Sequence, residues 1–139
     1  IIAHPPCTHL CGSGSRYWAE KVADGRQQAA IKFVEDIWDA DCPRICIENP
    51  VGALTKRSKL GKATVYVQPY WFGHGESKKT GLWLKGLPKL TPTNMIDISK
   101  LPRKEVHRMH YLAPSKDRWA IRSKTYQGLA DAMADQWTA

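Results

Sequence analysis

Two periodicities of apolar and polar positions run through the chain. From Arg26 onward Ala29, Ala30, Phe33, Val34, Ile37 and Trp38 recur at helical spacing, which predicts an amphipathic helix over 26–39. Tyr17–Ala23 reads as another helical stretch, interrupted at Gly25. Ile1–His4 reads as the end of a strand broken by Pro5, and Arg44–Glu48 as a short buried strand closed by Pro50. Between them, residues 5–15 with Gly12-Ser13-Gly14-Ser15 are expected to form a flexible loop. This order of strand, loop, helix and strand predicts a parallel, right-handed βαβ unit. Chemistry in such sheets collects at the carboxyl ends of the strands. Cys7 and Glu48 are expected just past strand ends, side by side.

After Val51 the pattern changes. Thr64–Gln68 and Gly81–Leu84 read as strands, while Pro69, Pro88, Pro92, Pro102 and Pro114 punctuate irregular structure. The final segment places Leu129, Ala132, Met133, Gln136 and Trp137 on one helical face. The fold class is therefore α/β in a single domain over 1–139. A βαβ core occupies 1–60, a basic, irregular stretch 61–122 is placed to contact a target, and a C-terminal helix occupies 123–139.

Composition narrows the function classes. An apolar fraction of 42% and six tryptophans exclude a disordered chain. A net charge of +8 points to a polyanionic partner, most simply nucleic acid. The excess lies in the second half, with clusters at 56–62, 78–89, 100–108 and 116–124. No apolar run approaches the length of a membrane span, so no membrane partner is expected. No signal-peptide pattern is present, so Cys7, Cys11, Cys42 and Cys46 are expected to be reduced, in a cytoplasmic setting. Ile1-Ile2-Ala3 reads as the tail of a strand already under way, hence as part of a longer chain.

The candidate chemistry centres on two segments. Cys7 sits on a rigid turn, His4-Pro5-Pro6-Cys7-Thr8-His9-Leu10, and Glu48 in Ile47-Glu48-Asn49-Pro50. A thiol attacks as thiolate, which needs a helix start or nearby cations. A cysteine can add to an electron-poor ring carbon while a carboxyl group holds and protonates a ring nitrogen. That pair turns an unreactive pyrimidine carbon into a nucleophile. Cys7 is expected to be the reactive thiol, with Cys42 and Cys46 around a buried strand.

Together these segments resemble the DNA cytosine-5 methyltransferase family, and most closely its short, phage-type members. Pro5-Pro6-Cys7-Thr8-His9-Leu10-Cys11-Gly12-Ser13-Gly14 is similar to that family's Pro-Cys nucleophile loop, and Glu48-Asn49-Pro50-Val51-Gly52 to its Glu-Asn-Val motif. Ser77-Lys78-Lys79-Thr80-Gly81-Leu82-Trp83-Leu84 is weakly similar to its Gln-x-Arg-x-Arg strand, and Arg122 to Trp137 to its closing motif. The resemblance implies a partial Rossmann-like, methyltransferase-type sheet with flanking helices. It implies methylation of cytosine C5 in DNA with S-adenosylmethionine as donor, in a bacterial or phage-infected cell. The base is flipped out of the stack. Cys7 would attack C6, Glu48 would hold and protonate N3, and Asn49 would orient Glu48. Pro6, Lys78, Lys79 and Arg122 would contact the substrate, and Pro5 and Pro6 the cofactor. The family's glycine-rich cofactor loop lies upstream of its Pro-Cys loop and is lacking here, and Gly12-Ser13-Gly14 is no substitute.

Other readings stay open. His4, Cys7, His9 and Cys11, with Cys42 and Cys46, invite zinc, but structural zinc takes paired ligands from two separated elements, and no metal is expected. Zinc deaminases need Pro-Cys-x-x-Cys and an earlier His-x-Glu, and neither is present. Amino-directed DNA methyltransferases carry a Pro-Pro-aromatic loop, of which His4-Pro5-Pro6-Cys7 is a near relation. A non-catalytic nucleic-acid module would use Trp71, Phe72, Trp83 and Trp119 among lysines for stacking. His74, His107 and His110 read as surface or packing residues.

Overall fold

A computed structural model describes residues 1–138. Its strands are β1 (Ile2–Ala3), β2 (Ile45–Pro50), β3 (Val65–Val67) and β4 (Thr80–Lys85). The helices are α1 (Trp18–Ala23), α2 (Arg26–Trp38), α3 (Ala53–Arg57), α4 (Arg103–Val106), α5 (Arg108–Tyr111), α6 (Arg118–Ser123) and α7 (Gln127–Trp137). The four strands form one open, mixed sheet in the order β1-β2-β4-β3. β1 runs parallel to β2, pairing Ile2 with Cys46 and Ala3 with Ile47. β4 runs antiparallel to β2 from Ile45↔Lys85 to Pro50↔Thr80. The fold is α/β, and the expected parallel β–α–β connection is present. Among the described residues no helix is long and apolar enough to cross a membrane.

The chain divides into two compact units rather than one block. The first holds Ile1–Tyr66 and Thr80–Lys89; the second holds Val67–Lys79 and the chain from Leu90 on. The expected 61–122 stretch is thus shared between them. The physical reason is β4: its apolar run Gly81–Leu84 finds its pairing partners on β2, so it completes the first unit's sheet.

In the first unit, alternation along β2 turns Ile45 and Ile47 to one face. There they join Leu10, Ile31, Val34, Ala53, Leu54 and Trp83 in a buried cluster. The Trp83 indole N–H donates to the Gly61 carbonyl at 3.0 Å, so its burial strands no polar group. Gly25, at φ 82°, sits in the left-handed region that separates α1 from α2, as the glycine interruption predicts. In the second unit α7 buries Leu129, Ala132, Met133 and Trp137, the face read from the sequence.

Two expectations are corrected here. The Gly12–Tyr17 segment is a 3-10 helix rather than a flexible loop, entered through a backbone bridge between Cys11 and Gly52. Glu48 lies inside β2, opposite Leu82 of β4, rather than past its end.

Candidate active site

The Cys7 turn is clamped through its own carbonyl oxygens. Cys7 O accepts from the N–H groups of Leu10 (2.9 Å) and Cys11 (3.0 Å), which closes the turn. Thr8 O accepts from Lys21 Nζ at 2.6 Å, and His9 O from Gln27 Nε2 at 2.9 Å. Leu10 O accepts from the Ala53 N–H at 2.7 Å. Each carbonyl from Cys7 to Leu10 is therefore fixed, by α1, by α2, by the start of α3 or by the turn itself. Gln27 is buried and is held in its turn by Arg57 Nη1 at 2.5 Å. The Arg57 guanidinium stacks over the Trp18 ring at 4.7 Å.

The second motif docks against this turn. Asn49 is 1% exposed, and its Nδ2 donates to the Pro5 carbonyl at 3.0 Å. The Gly12 N–H donates to the Val51 carbonyl at 2.8 Å. Gly52 lets the two backbones meet: a Cβ there would lie 1.9 Å from Leu10 O. Its φ of 173° is ordinary extended backbone, so close approach alone demands the glycine.

Glu48 has a different partner from the one expected. Successive strand residues face opposite sides of a sheet, so Glu48 and Asn49 point apart. Asn49 orients the Pro-Pro turn, through Pro5, and does not orient Glu48. Glu48 Oε2 instead sits 2.6 Å from His4 Nδ1, where the parallel register brings His4 beside it. The bond to Glu48 raises the His4 pKa above its ordinary value; burial opposes the rise, and the carboxylate charge adds to it.

Pro5 is buried with its carbonyl taken by Asn49, so exposed Pro6 is the proline open to a ligand. The four cysteines are thiols. Cys7, Cys11 and Cys42 are half-buried, while burial pushes the Cys46 thiol up to about 12. Cys7 is thus one of three half-buried thiols, and their reactivity is for labelling to decide. Cys42 is within reach of reagents, its Sγ directed at the Arg44 carbonyl at 3.2 Å. No three His, Cys, Asp or Glu side chains gather as a metal site among the described residues.

Lys78, Lys79 and Arg122 belong to the second unit, where Lys78 Nζ donates to the Arg122 carbonyl. Of the four candidate stacking aromatics, Phe72 and Trp83 are buried, whereas Trp119 is 74% exposed. The sequence reading considered His4 only as a zinc ligand and missed Lys21, Gln27 and Arg57. Gln27 did carry a signal: it stands one helical turn before Ile31 and two before Val34, a polar residue in a buried stripe.

No protein-family model, no curated protein and no solved structure matches this chain.

Proposed function

We propose that this chain carries the base-activating machinery of a cytosine-5 methyltransferase acting on DNA, within a methyltransferase-type α/β sheet. The observation that carries the reading is the Asn49–Pro5 hydrogen bond, which fastens the Glu-Asn-Pro strand to the Pro-Pro-Cys turn. The carbonyl clamp supports it, because a nucleophile gains rate when its approach is fixed in advance.

In this reading the Cys7 thiolate adds to C6 of a flipped cytosine as Glu48 passes a proton to N3. The C5–C6 double bond is then replaced by an enamine whose C5 is nucleophilic. His4, hydrogen-bonded to Glu48 Oε2 at 2.6 Å, would hold that carboxyl group in place for N3. Lys79, Lys78 and Arg122 would meet DNA phosphates.

S-adenosylmethionine would supply the methyl group, but two clefts among the described residues do not fit it. The cleft of the first unit, about 770 Å³, is lined by Trp18, Val22, Gln27, Ile31 and Arg57, with no carboxylate to hold a ribose. The cleft of the second unit has one carboxylate, Glu76, which is already engaged by Arg108 and Tyr126. No methyl-transfer step is therefore derived from these residues.

The base-activating step has a test that needs no methyl donor. In D2O the enamine C5 takes a deuteron, loses its proton and expels Cys7, while N3 returns its proton to Glu48. Cytosine C5–H signals in a DNA strand should therefore fade by NMR with this protein and persist with Cys7→Ser. In a preparation that also holds S-adenosylmethionine, DNA containing 5-fluorocytosine should further trap a covalent adduct that Cys7→Ser abolishes. Salt-sensitive DNA binding with neither exchange nor adduct would replace this reading by the non-catalytic nucleic-acid module.

A further inference from the structure

The second unit contains a cleft of about 650 Å³ that the chemistry above does not use. Glu76, Arg108 and Tyr126 line it and are joined to one another. Arg108 Nε donates to Glu76 Oε1 and the Tyr126 hydroxyl donates to Glu76 Oε2, both at 2.5 Å. Burial would push the Glu76 carboxyl up, but the hydrogen bonds from Arg108 and Tyr126 outweigh it and hold the pKa below the ordinary carboxylate value. Glu76 therefore stays ionised and anchors Arg108 by one edge only. The two terminal nitrogens of Arg108 make no further hydrogen bond among the described residues, and the side chain is 49% exposed.

Lys124 lines the same cleft and forms no ion pair among the described residues. His74 lines it too. Its Nε2 accepts from the Gly128 N–H at 2.9 Å, so the ring proton sits on Nδ1, a third donor. The His74 ring meets the Tyr126 ring edge-on at 5.1 Å. Met109 and Ile121 supply apolar wall. With Glu76 and Arg108 cancelling, Lys124 leaves the lining with a charge of +1.

We infer that this cleft binds the phosphate group of a nucleotide, with Arg108 presenting its open edge to two phosphate oxygens and Lys124 supplying charge. An anchored guanidinium suits this task, since a planar fork held in place keeps its geometry for bidentate contact. Glu76 and Tyr126 are positioning residues that act through Arg108. The apolar wall and the cleft volume leave room for a sugar and base beside the phosphate. The phosphate can belong to a free nucleotide or to a nucleic-acid strand. The inference does not rest on Cys7 chemistry: phosphate binding and C5 exchange are read separately on one wild-type preparation.

The test is calorimetric titration of the full chain with deoxycytidine 5′-monophosphate, phosphate-free deoxycytidine and a thymidine decamer. Arg108→Gln and Lys124→Gln should each weaken the phosphate-bearing probe that wild type binds by about tenfold. For the decamer, each should also flatten the dependence of log K on log salt by about 0.7. Tyr126→Phe should weaken binding by less and leave that slope unchanged, because it loosens Arg108 without removing a phosphate contact. Stronger binding of the monophosphate assigns the cleft to free nucleotides, and stronger binding of the decamer assigns it to a strand. Lys124 is exposed and forms no ion pair among the described residues, so Lys124→Gln keeps the test valid if Arg108→Gln fails to fold. Deoxycytidine binding as tightly as its monophosphate, or Lys124→Gln binding both phosphate probes like wild type, would overturn the inference.

Discussion

Gly52→Ala is the sharpest probe of how the Cys7 turn meets the Glu48 strand. The added Cβ would lie 1.9 Å from Leu10 O and 2.9 Å from both Cys11 Cα and Gly12 N. These are backbone atoms, so no side-chain rotation relieves the clash. Real Cβ contacts do not fall below 3.0 Å, so the turn must retreat by at least 3.0 − 1.9 = 1.1 Å. That retreat breaks the Ala53 N–H bond to Leu10 O and the Gly12 N–H bond to Val51 O, now 2.7 and 2.8 Å. Breaking the buried Leu10–Ala53 bond costs about 1–3 kcal/mol and the exposed Gly12–Val51 bond about 0.5–1.5 kcal/mol, or about 1.5–4.5 kcal/mol together. With an unfolding entropy of about 2.1 cal/mol/K per residue, Tm should fall by roughly 5–15 °C. C5 exchange should fall by about a hundredfold, the cost of misplacing a reacting group by an ångström. Differential scanning fluorimetry and NMR exchange measure the two. Gly61→Ala is the control: Gly61 has φ 66° and open space around its Cβ position, so only left-handed strain of about 1–2 kcal/mol is expected. If Gly52→Ala melts within a degree of wild type and exchanges C5–H at full rate, the docking argument fails.

Four further outcomes are expected. Asn49→Ala strands the Pro5 carbonyl and should cost about 1–3 kcal/mol in urea unfolding, with C5 exchange lost in parallel; unchanged stability and exchange would remove Asn49 from the site. Mild alkylation followed by peptide mapping should label Cys7 and Cys42 well before Cys46, whose thiol is buried and pushed up to about 12; early labelling of Cys46 would contradict the packing of β2. The His4–Glu48 pair has a raised histidine pKa, so its stabilisation is complete below pH 6.5 and is lost as pH rises through the folded value; because His4 is 37% exposed the effect is small, and it should vanish in His4→Asn. The Glu76 carboxyl is depressed, so its contribution is present above the ordinary carboxylate pKa and is lost as pH falls through the folded value; acid unfolding of Glu76→Gln should lack that component, and a wild-type-like acid profile would refute it.

Local order was legible where one periodicity or one glycine dominated. The α2 helix, the Gly25 break, the apolar strands β2 and β4 and the buried face of α7 all follow from pattern alone, whereas the buried face of α2 does not: Ala29 and Phe33 are exposed, and Gln27 and Ile31 are buried beside Val34. What pattern could not carry is pairing between distant segments. The antiparallel return of β4 onto β2 depends on which apolar strand meets which, and two strands of similar composition do not announce their neighbours. Glu48 was legible as a candidate site carboxylate but its partner was not, because His4 reaches it only through the parallel register of β1. The Gly12-Ser13-Gly14 run reads as flexible because glycine and serine are permissive. Its order comes from outside the segment, through the Val51 and Gly52 backbone.

The clamp also explains why a lysine and a glutamine are placed against the first unit's core. Burying Lys21 and Gln27 costs desolvation unless each finds a strong acceptor. Both find a carbonyl of the Cys7 turn, and Arg57 fills the remaining valence of Gln27. A turn needed only to reverse the chain would be served by its own Leu10 and Cys11 amides. Three additional donors, drawn from α1, α2 and α3, fix carbonyls that such a turn would leave to water. Their common effect is to hold the Cys7 backbone in one conformation, which the proposed addition to a ring carbon would use. Gln27→Leu, close in volume but without donors, separates the two roles. If the clamp serves catalysis, C5 exchange should fall by more than the loss of folded protein accounts for, and the fall should persist at temperatures where the variant is fully folded. Exchange that simply follows the folded fraction would leave Gln27 as a packing residue and remove the clamp from the mechanism.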